Sequence, residues 1–278
     1  SIGAGRRPAI LVAERNESIH GILPLSIRRT SWDELKLKVL EFSGGSQSDY
    51  QELLVAEDHR EAVLQAFQSP FERLCRSVDV VRLHNLSSRS ILGHLIGDQV
   101  PPFSIEGSSP FLNLDQKRFE DVETSWKKAH RGDVRRQEKR LQSLGDLALE
   151  VYRDKEEIKK LLPSFFRTLK SKWQSEGFNP ERVLPPAHIR FYSELIDELS
   201  ERKRIHFSVL KLNGRPVSYH FGFFYSDVLY WYRPTYEKEF HNYSPGKVHI
   251  AKIIERGGEE GGKEIDFLLG REPYKFSW

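Results

Sequence analysis

Residues 243–258, YSPGKVHIAKIIERGG, have the types and spacing of a helix start that could bind an anion. Ser244 is a favourable N-cap because its hydroxyl can accept a bond from a first-turn amide, and Pro245 suits the first helical position. Gly246 leaves the first turn bare, and Lys247 adds a positive charge. Since open amides at the positive end of a helix dipole attract phosphate, the stretch predicts a phosphate site. A simple helix cap is the alternative.

A second candidate for anion binding is a run of basic residues in a polar segment, residues 119–144, which we expect to form one long helix. Arg131, Arg135 and Lys139 recur at intervals of four, so they share one helix face, and Arg136 lies beside them. Such a face is either solvated or grips an anionic substrate or a cofactor phosphate. Both interpretations stay open at this point.

The elements that would position these residues follow from the periodicity of the apolar residues. After the basic segment we expect a strand, two helices, three antiparallel strands, the helix at 245 and a last strand. Apart from the helix at 245, these lie at residues 147–152, 154–173, 186–199, 205–212, 216–225, 228–232 and 264–268. Asn213-Gly214 is a strong hairpin signal between two of the strands.

The first part of the chain predicts a smaller set of elements. We expect a hairpin from residues 9–15 and 19–25, strands at 37–42 and 78–83, and a helix at 57–67. A segment rich in Pro, Gly and Ser, residues 97–110, indicates a boundary between two halves. Because the chain opens directly on a hairpin, we expect the first domain to be incomplete.

Composition narrows the class of protein. The chain has 278 residues, of which 38% are hydrophobic and 30% charged, as in soluble globular proteins. A net charge of +3 does not by itself indicate nucleic acid. The single cysteine, Cys75, excludes an internal disulfide framework and suits the cytoplasm, where we expect the protein. We expect no transmembrane segment, and no metal, since no Cys/His metal spacing is present.

Three blocks of sequence, in order, resemble the GNAT acyltransferase superfamily in its CelD-type branch, the cellulose-biosynthesis acetyltransferase-like proteins, related to FemAB. The blocks are residues 131–145 (RGDVRRQEKRLQSLG), 236–246 (YEKEFHNYSPG) and 266–278 (DFLLGREPYKFSW). The resemblance covers residues 114–278 well and residues 10–50 more loosely. It implies an α/β fold of mixed α+β character with tandem GNAT-like domains, residues 1–112 and 113–278. Each would be a mostly antiparallel mixed sheet flanked by helices.

The resemblance also implies an acyl donor, acetyl-CoA or another acyl-CoA, whose pyrophosphate sits at the start of the helix after the fourth strand. The residues that match this place are Tyr243, Ser244, Pro245, Gly246 and Lys247. Only Gly246 of the usual glycine signature is present, so another carrier thioester or an aminoacyl-tRNA remains an alternative acyl donor. The residues expected to hold anionic parts of the substrate are Arg131, Arg135, Arg136 and Lys275.

Acyl transfer to an amine needs a neutral nucleophile, an oriented thioester and a proton for the leaving thiolate. Asp266, Glu272 and His220 are candidate bases, and Tyr274 could donate the proton. Each also has a structural alternative. The carboxylates could hold a loop, the histidine could be satisfied within the sheet, and the tyrosine could be a buried aromatic residue.

Three candidate functions follow from these interpretations of the sequence. The first is an N- or O-acyltransferase that acts on an amine or hydroxyl of a polysaccharide or envelope precursor, such as an amino-sugar or a nucleotide-sugar. The second is a FemAB-like transferase that takes its acyl group from aminoacyl-tRNA and binds the RNA through the basic helix. The third is a catalytically silent binding module with the same fold.

Overall fold

The computed structural model describes residues 5–96, 107–114, 118–179, 181, 184–259 and 261–278. The chain forms two compact units, Ser1–Gly107 and Ser108–Trp278. Most of the boundary segment expected at residues 97–110 lies outside the described residues. Each unit combines helices with mixed or antiparallel sheets, so the predicted mixed α/β class is confirmed.

The first unit contains two sheets and a long helix. Its strands are β1 (Arg6–Pro8), β2 (Leu11–Arg15), β3 (Ser18–Leu23), β4 (Leu25–Trp32), β5 (Leu35–Phe42), β6 (Leu54–Val55) and β7 (Val80–Arg82), and its helices are α1 (Arg60–Arg76) and α2 (Gly93–Ile96). One sheet has the order β1-β4-β5-β7 and the other β2-β3-β6. The predicted hairpin is β2 with β3, whereas β4 is a strand that the sequence did not predict.

The core of the first unit lies between α1 and one face of these strands. The apolar residues of α1 that recur on one face, Val63, Phe67 and Phe71, are buried against Leu25 and Leu40. The helix extends nine residues beyond the end predicted at residue 67, and it does so through Pro70. Tertiary packing of Phe71 therefore outweighs the proline penalty.

The second unit is built on one six-stranded sheet. Its elements are β8 (Phe111–Asn113), α3 (Phe119–Ser125), α4 (Lys128–Gln142), β9 (Leu147–Tyr152), α5 (Lys155–Ser175), α6 (Pro186–Ser200), β10 (Ile205–Leu212), β11 (Arg215–Tyr225), β12 (Val228–Tyr236), α7 (Pro245–Glu259) and β13 (Glu264–Asp266). The strand order is β8-β13-β12-β11-β10-β9. Among the described strands of this sheet, β12 and β13 pair in parallel and the other neighbours are antiparallel.

Helices cover both faces of this sheet. On one face α5 and α6 bury aromatic residues such as Phe165 and Tyr192 against Phe207 and Phe221 of the sheet. On the other face α3, α4 and α7 enclose Trp231. The alternation of strand side chains assigns each residue to one of the two layers.

The prediction of one long helix over residues 119–144 is wrong, because the helical conformation is interrupted between α3 and α4. Trp126 has an extended backbone, with φ −71° and ψ 149°, and its side chain is 4% exposed. Its indole packs against Phe119 and against Trp278 at the end of the chain. The break therefore lets a large aromatic residue enter the core, an advantage that local helix propensity does not include.

A β-bulge interrupts the pairing of β11 with β12. Phe221 pairs with Arg233 and Phe223 with Tyr230, so two residues of β12 lie opposite Gly222. A Cβ atom at Gly222 would lie 2.3 Å from the carbonyl oxygen of Tyr230. Only glycine fits this close approach of two strands.

We expect Gly222→Ala to lower the free energy of unfolding by about 1–3 kcal/mol, because the added methyl group overpacks the bulge. Gly132→Ala is the matched control, since its Cβ would meet nothing within 4 Å on an exposed position of α4. That change should raise stability by about 1 kcal/mol through helix propensity. Urea unfolding measures both; equal stability of Gly222→Ala and the parent would contradict the packing described here.

Candidate functional site

The sheet of the second unit opens between β12 and β13. Residues Val228–Tyr230 of β12 pair with Glu264–Asp266, but β12 continues to Tyr236. After Asp266 the chain follows the segment before β8 instead, since the Phe267 amide donates to the Pro110 carbonyl at 2.9 Å. Within the described residues, positions 231–236 of β12 therefore have a strand on one side only.

Helix α7 begins beside this opening, after a short 3-10 helix, Lys238–Tyr243. Ser244 precedes the helix with φ 47° and ψ 51°, in the left-handed region. Its main-chain carbonyl accepts bonds from the amides of Lys247 (3.0 Å) and Val248 (3.3 Å). Side-chain caps usually have extended backbones, so the predicted capping geometry of Ser244 differs from the geometry found.

The first turn of α7 is open at Gly246. A Cβ atom there would make only an ordinary contact, at 3.6 Å from Cδ1 of Tyr236. Pro245 is buried and has no N–H to offer. A ligand can therefore approach the backbone at Gly246, which is the part of the predicted phosphate site that the geometry retains.

Helix α4 brings charge to the same place. Asp133 forms ion pairs with Lys247 of α7 and with Arg136. The hydrogen bond from Lys247 lowers the pKa of the Asp133 carboxyl below its usual value. Arg140 donates to the carbonyl of Asn242 at 2.8 Å and lies 4.8 Å from the centre of the Tyr243 ring.

The remaining arginines of the predicted basic face point to α3. Arg135 binds the carboxylate of Glu123, with Nε 2.7 Å from Oε1, and Arg131 donates to the Thr124 carbonyl at 3.2 Å. Glu123 is 6% exposed, so its charge needs this partner. The basic face is thus divided: Arg136 and Arg140 approach the start of α7, while Arg131 and Arg135 tie α3 to α4.

Three of the predicted site residues hold the loop that follows β13. Asp266 Oδ1 accepts the amide of Leu268 at 2.7 Å, where Leu268 has φ 61°. Lys275 is 6% exposed, and its ammonium donates to the Leu269 carbonyl at 2.9 Å and pairs with Glu272 at 3.1 Å. These contacts fix the path of residues 266–275 past the opening.

Tyr274 lies near the end of that loop. Its side chain is 38% exposed, and its hydroxyl lies close to the indole of Trp231. Burial, with a smaller contribution from Glu272, raises the pKa of Tyr274 to about 12. Because Trp231 directly follows the last residue of β12 that pairs with β13, a protonated phenol lies at the opening.

His220 lies beneath this site and not in it. The ring is 0% exposed and stacks on Trp231 with centroids 4.0 Å apart. Burial, together with the neighbouring His206 and His249, lowers the pKa of His220 well below its usual value. His220 is therefore a neutral ring that supports Trp231 from the helix α7 side.

Sequence reasoning missed two members of the site, Asp133 and Trp231. Asp133 shares a helix with the predicted Arg136, at a spacing of three, so helical periodicity could have found it. Trp231 carried no such signal, since it stands between two other aromatic residues, Tyr230 and Tyr232, in a strand. Across the part of the chain that the structure describes, no group of three or more His, Cys, Asp or Glu side chains could hold a metal ion.

A family model described as "Acetyltransferase (GNAT) domain" matches residues 128–276, which include α4, the opening and the loop to Tyr274. The chain belongs to this GNAT family. It is accordingly an acyltransferase, and the resemblance seen in the sequence is confirmed at this level. The CelD-type branch stays a prediction.

Solved structures share the fold of this GNAT protein at low sequence identity. FemX has a TM-score of 0.60 and 12% identity over 97% of this chain and 81% of its own. The L-PGS structure from Bacillus licheniformis has a TM-score of 0.57 and 11% identity over 96% and 69%. The C-terminal domain of a putative lysylphosphatidylglycerol synthetase from Agrobacterium fabrum gives 0.53 and 10% over 98% and 72%. No curated protein matches the chain significantly.

The contact between Asp266 and Leu268 can be tested with two substitutions. Asp266→Asn keeps an oxygen acceptor for the Leu268 amide, whereas Asp266→Ala leaves that amide without its partner. We expect the Ala variant to be less stable than the Asn variant by about 1 kcal/mol. Urea unfolding of both proteins measures the difference. Equal stability of the two variants would show that Asp266 does not hold the turn.

Proposed function

We propose that the second unit transfers an acyl group from acyl-CoA to an amine or hydroxyl, and that the reaction takes place at the opening between β12 and β13. The observation that carries this proposal is the placement of the start of α7 and of Tyr274 at that one opening. GNAT domains typically use acyl-CoA. A binding module without turnover would not require a protonated tyrosine beside the part of β12 that extends past β13.

The residues at the start of α7 fit the pyrophosphate of CoA. Gly246 exposes backbone, and Lys247, Arg136 and Arg140 supply three positive charges against one from Asp133. The helix dipole adds to this potential. Asp133 holds Lys247 and Arg136 in place, so an anion meets cations that are already oriented.

The open edge of β12 provides the second part of the mechanism. Strand amides that have no strand partner can donate to the thioester carbonyl oxygen, and these bonds strengthen as negative charge develops on it. A neutral amine or hydroxyl of the acceptor attacks the carbonyl carbon. The carbon–sulfur bond then breaks, the electron pair leaves with sulfur, and Tyr274 supplies the proton that yields the thiol; water then returns a proton to the Tyr274 phenolate.

The other predicted catalytic residues, and the predicted substrate-binding Lys275, have supporting roles in this proposal. Asp266, Glu272 and Lys275 keep the loop in the path that places Tyr274, and His220 supports Trp231. A protein carboxylate is therefore not assigned as the base. The proton of the acceptor passes to water, which suits an amine that is already partly neutral near neutral pH.

The acceptor class and the roles of the units rest on the CelD-type resemblance. We propose that residues 113–278 form the donor-binding GNAT domain and that the first unit is a second GNAT-like domain. The acceptor would be an amino-sugar or nucleotide-sugar precursor of a polysaccharide or envelope, and the site of action the cytoplasm. In the described part of the chain, no helix is long and apolar enough to cross a membrane.

A second candidate is transfer from aminoacyl-tRNA, which the fold shared with FemX favours. It needs a surface for RNA, for which α4 offers exposed cations such as Lys139 and Arg135. Binding of aminoacyl-tRNA that weakens steeply with salt, without any binding of acetyl-CoA, would select this candidate.

The donor site predicts a specific loss in Gly246→Val. The branched side chain would occupy the space where phosphate oxygens should lie, so acetyl-CoA binding should weaken at least about tenfold with little change in melting temperature. Gly246→Ala is the matched control, because its methyl group makes only an ordinary contact with Tyr236. Lys247→Ala should cause a smaller loss. Calorimetric titration of acetyl-CoA measures all three; parent-like affinity in folded Gly246→Val would exclude this site.

Tyr274→Phe should lower kcat about 10²-fold or more while leaving the Kd of acetyl-CoA unchanged, because only the proton donor is removed. Burial raises the pKa of Tyr274 to about 12, so the phenol stays protonated from neutral to mildly alkaline pH. The loss should therefore be the same from neutral to mildly alkaline pH. Tyr225→Phe, at a 54% exposed tyrosine, is the control. Parent-like turnover in Tyr274→Phe would remove this residue from the mechanism.

A further inference from the structure

The first unit has a second surface of functional interest, on the β1-β4-β5-β7 sheet. Alternate residues of β4, Leu25 and Ile27, face the core, so Ser26, Arg28, Thr30 and Trp32 lie on the opposite face. We call this opposite side the outer face. Its members on neighbouring strands follow from the pairing register and include Arg6, Glu41, Val39, Leu37, Leu35 and Arg82.

One end of the outer face carries an excess of positive charge. Glu41 is 0% exposed, and its carboxylate binds Arg6 (3.0 Å), Arg28 (2.9 Å) and Arg82. Burial alone would raise the pKa of Glu41, but hydrogen bonds from Arg28 and Arg82 lower it. One ionised carboxylate thus balances one of three guanidinium groups. The arginine side chains remain 20%, 28% and 53% exposed, so the surplus charge faces outward.

The other end of the outer face is apolar and exposed. Trp32 and Leu35 are cross-strand partners next to the turn of the β4–β5 hairpin, and they are 75% and 63% exposed. Thr30 and Leu37 form the pair between them and the arginine end. Since β4 rises about 3.4 Å per residue, the Cα atoms of Arg28 and Trp32 are about 13 Å apart.

We propose that the outer face docks on a bilayer surface that contains anionic phospholipid. The arginine end binds headgroup phosphates, because guanidinium groups pair with phosphate through two donors. Trp32 and Leu35 enter the interfacial zone, which tryptophan prefers since its ring is amphipathic. The carboxylates of Asp33 and Glu34 lie at the end of the hairpin, in the hydrated headgroup region when the face lies flat.

The composition of the outer face favours a bilayer. A cationic cluster and a large exposed indole occur together on one face, so binding of phosphates and burial of the indole in the interfacial zone can take place at the same time. The surface charge is complementary to anionic lipid and not to a neutral bilayer. The inference concerns the first unit alone and does not depend on the proposed donor site in the second.

The test is co-sedimentation of the full chain with phosphatidylcholine vesicles, with and without phosphatidylglycerol, at low and high salt. We expect binding to the phosphatidylglycerol vesicles that weakens with salt. Arg82→Gln should reduce the partition constant about fivefold, as expected for one cation near an anionic surface. Trp32→Ser should reduce it about tenfold or more. Lys36→Gln is the matched control, because Lys36 is on the same hairpin but pairs with Ser31 on the opposite face; it should lose less than Arg82→Gln.

Melting curves and acetyl-CoA titrations accompany these measurements. Arg82 is the most exposed partner of Glu41, and Arg6 and Arg28 remain in its variant, so the fold should persist. Donor binding should be unchanged, which separates failure of this proposal from failure of the donor site. Absence of vesicle binding, equal binding to neutral vesicles, or parent-like binding by Trp32→Ser would each overturn it. So would calorimetric binding of inorganic phosphate or glycerol 3-phosphate without any vesicle binding, which indicates a site for a free phosphate.

Discussion

The separation of β12 from β13 is the constraint on which the second unit depends. A parallel pair would normally continue as long as both strands do, because each unpaired main-chain group loses a hydrogen bond. Here the loop after β13 satisfies its own groups elsewhere, through Pro110 and Ser108, and turns at Leu268 with Asp266 as acceptor. The separation is thus stabilised by specific bonds, and it leaves the edge of β12 available for a substrate carbonyl.

The bulge on the other side of β12 has a related effect. Two residues of β12 lie opposite Gly222, which rotates the strand locally and directs Trp231 towards α7. His220 stacks beneath that indole at 4.0 Å, and no side chain larger than hydrogen fits at Gly222. The bulge and the opening therefore act together: one sets the orientation of Trp231, and the other leaves room for Tyr274 beside it.

How much of the fold and of the site could be predicted depends on how far apart in the sequence the interacting residues are. The hairpin of β10 and β11 was predicted from Asn213-Gly214, whose φ angles of 50° and 75° match the predicted turn, because turn chemistry is local. The pair of Asp133 with Lys247 joins residues 114 apart, and Arg82 meets Glu41 across 41 positions. No local periodicity records such contacts. The break at Trp126 was missed for the same reason, since its advantage comes from Trp278 at the far end of the chain.

The distribution of charge also explains why a basic helix need not be one site. The regular spacing of Arg131, Arg135 and Lys139 suggested a single anion-binding face, but the arginines of α4 contact different neighbours. Arg135 pairs with Glu123, whose carboxylate is nearly inaccessible to water, so removal of Arg135 would leave a buried charge without its partner. Arg136 and Lys247 share Asp133, which is only partly buried, so a phosphate can compete for them without first breaking a dry ion pair. We therefore expect the anionic acyl donor to bind the residues of α4 that lie near α7, while the residues that contact α3 stabilise the fold.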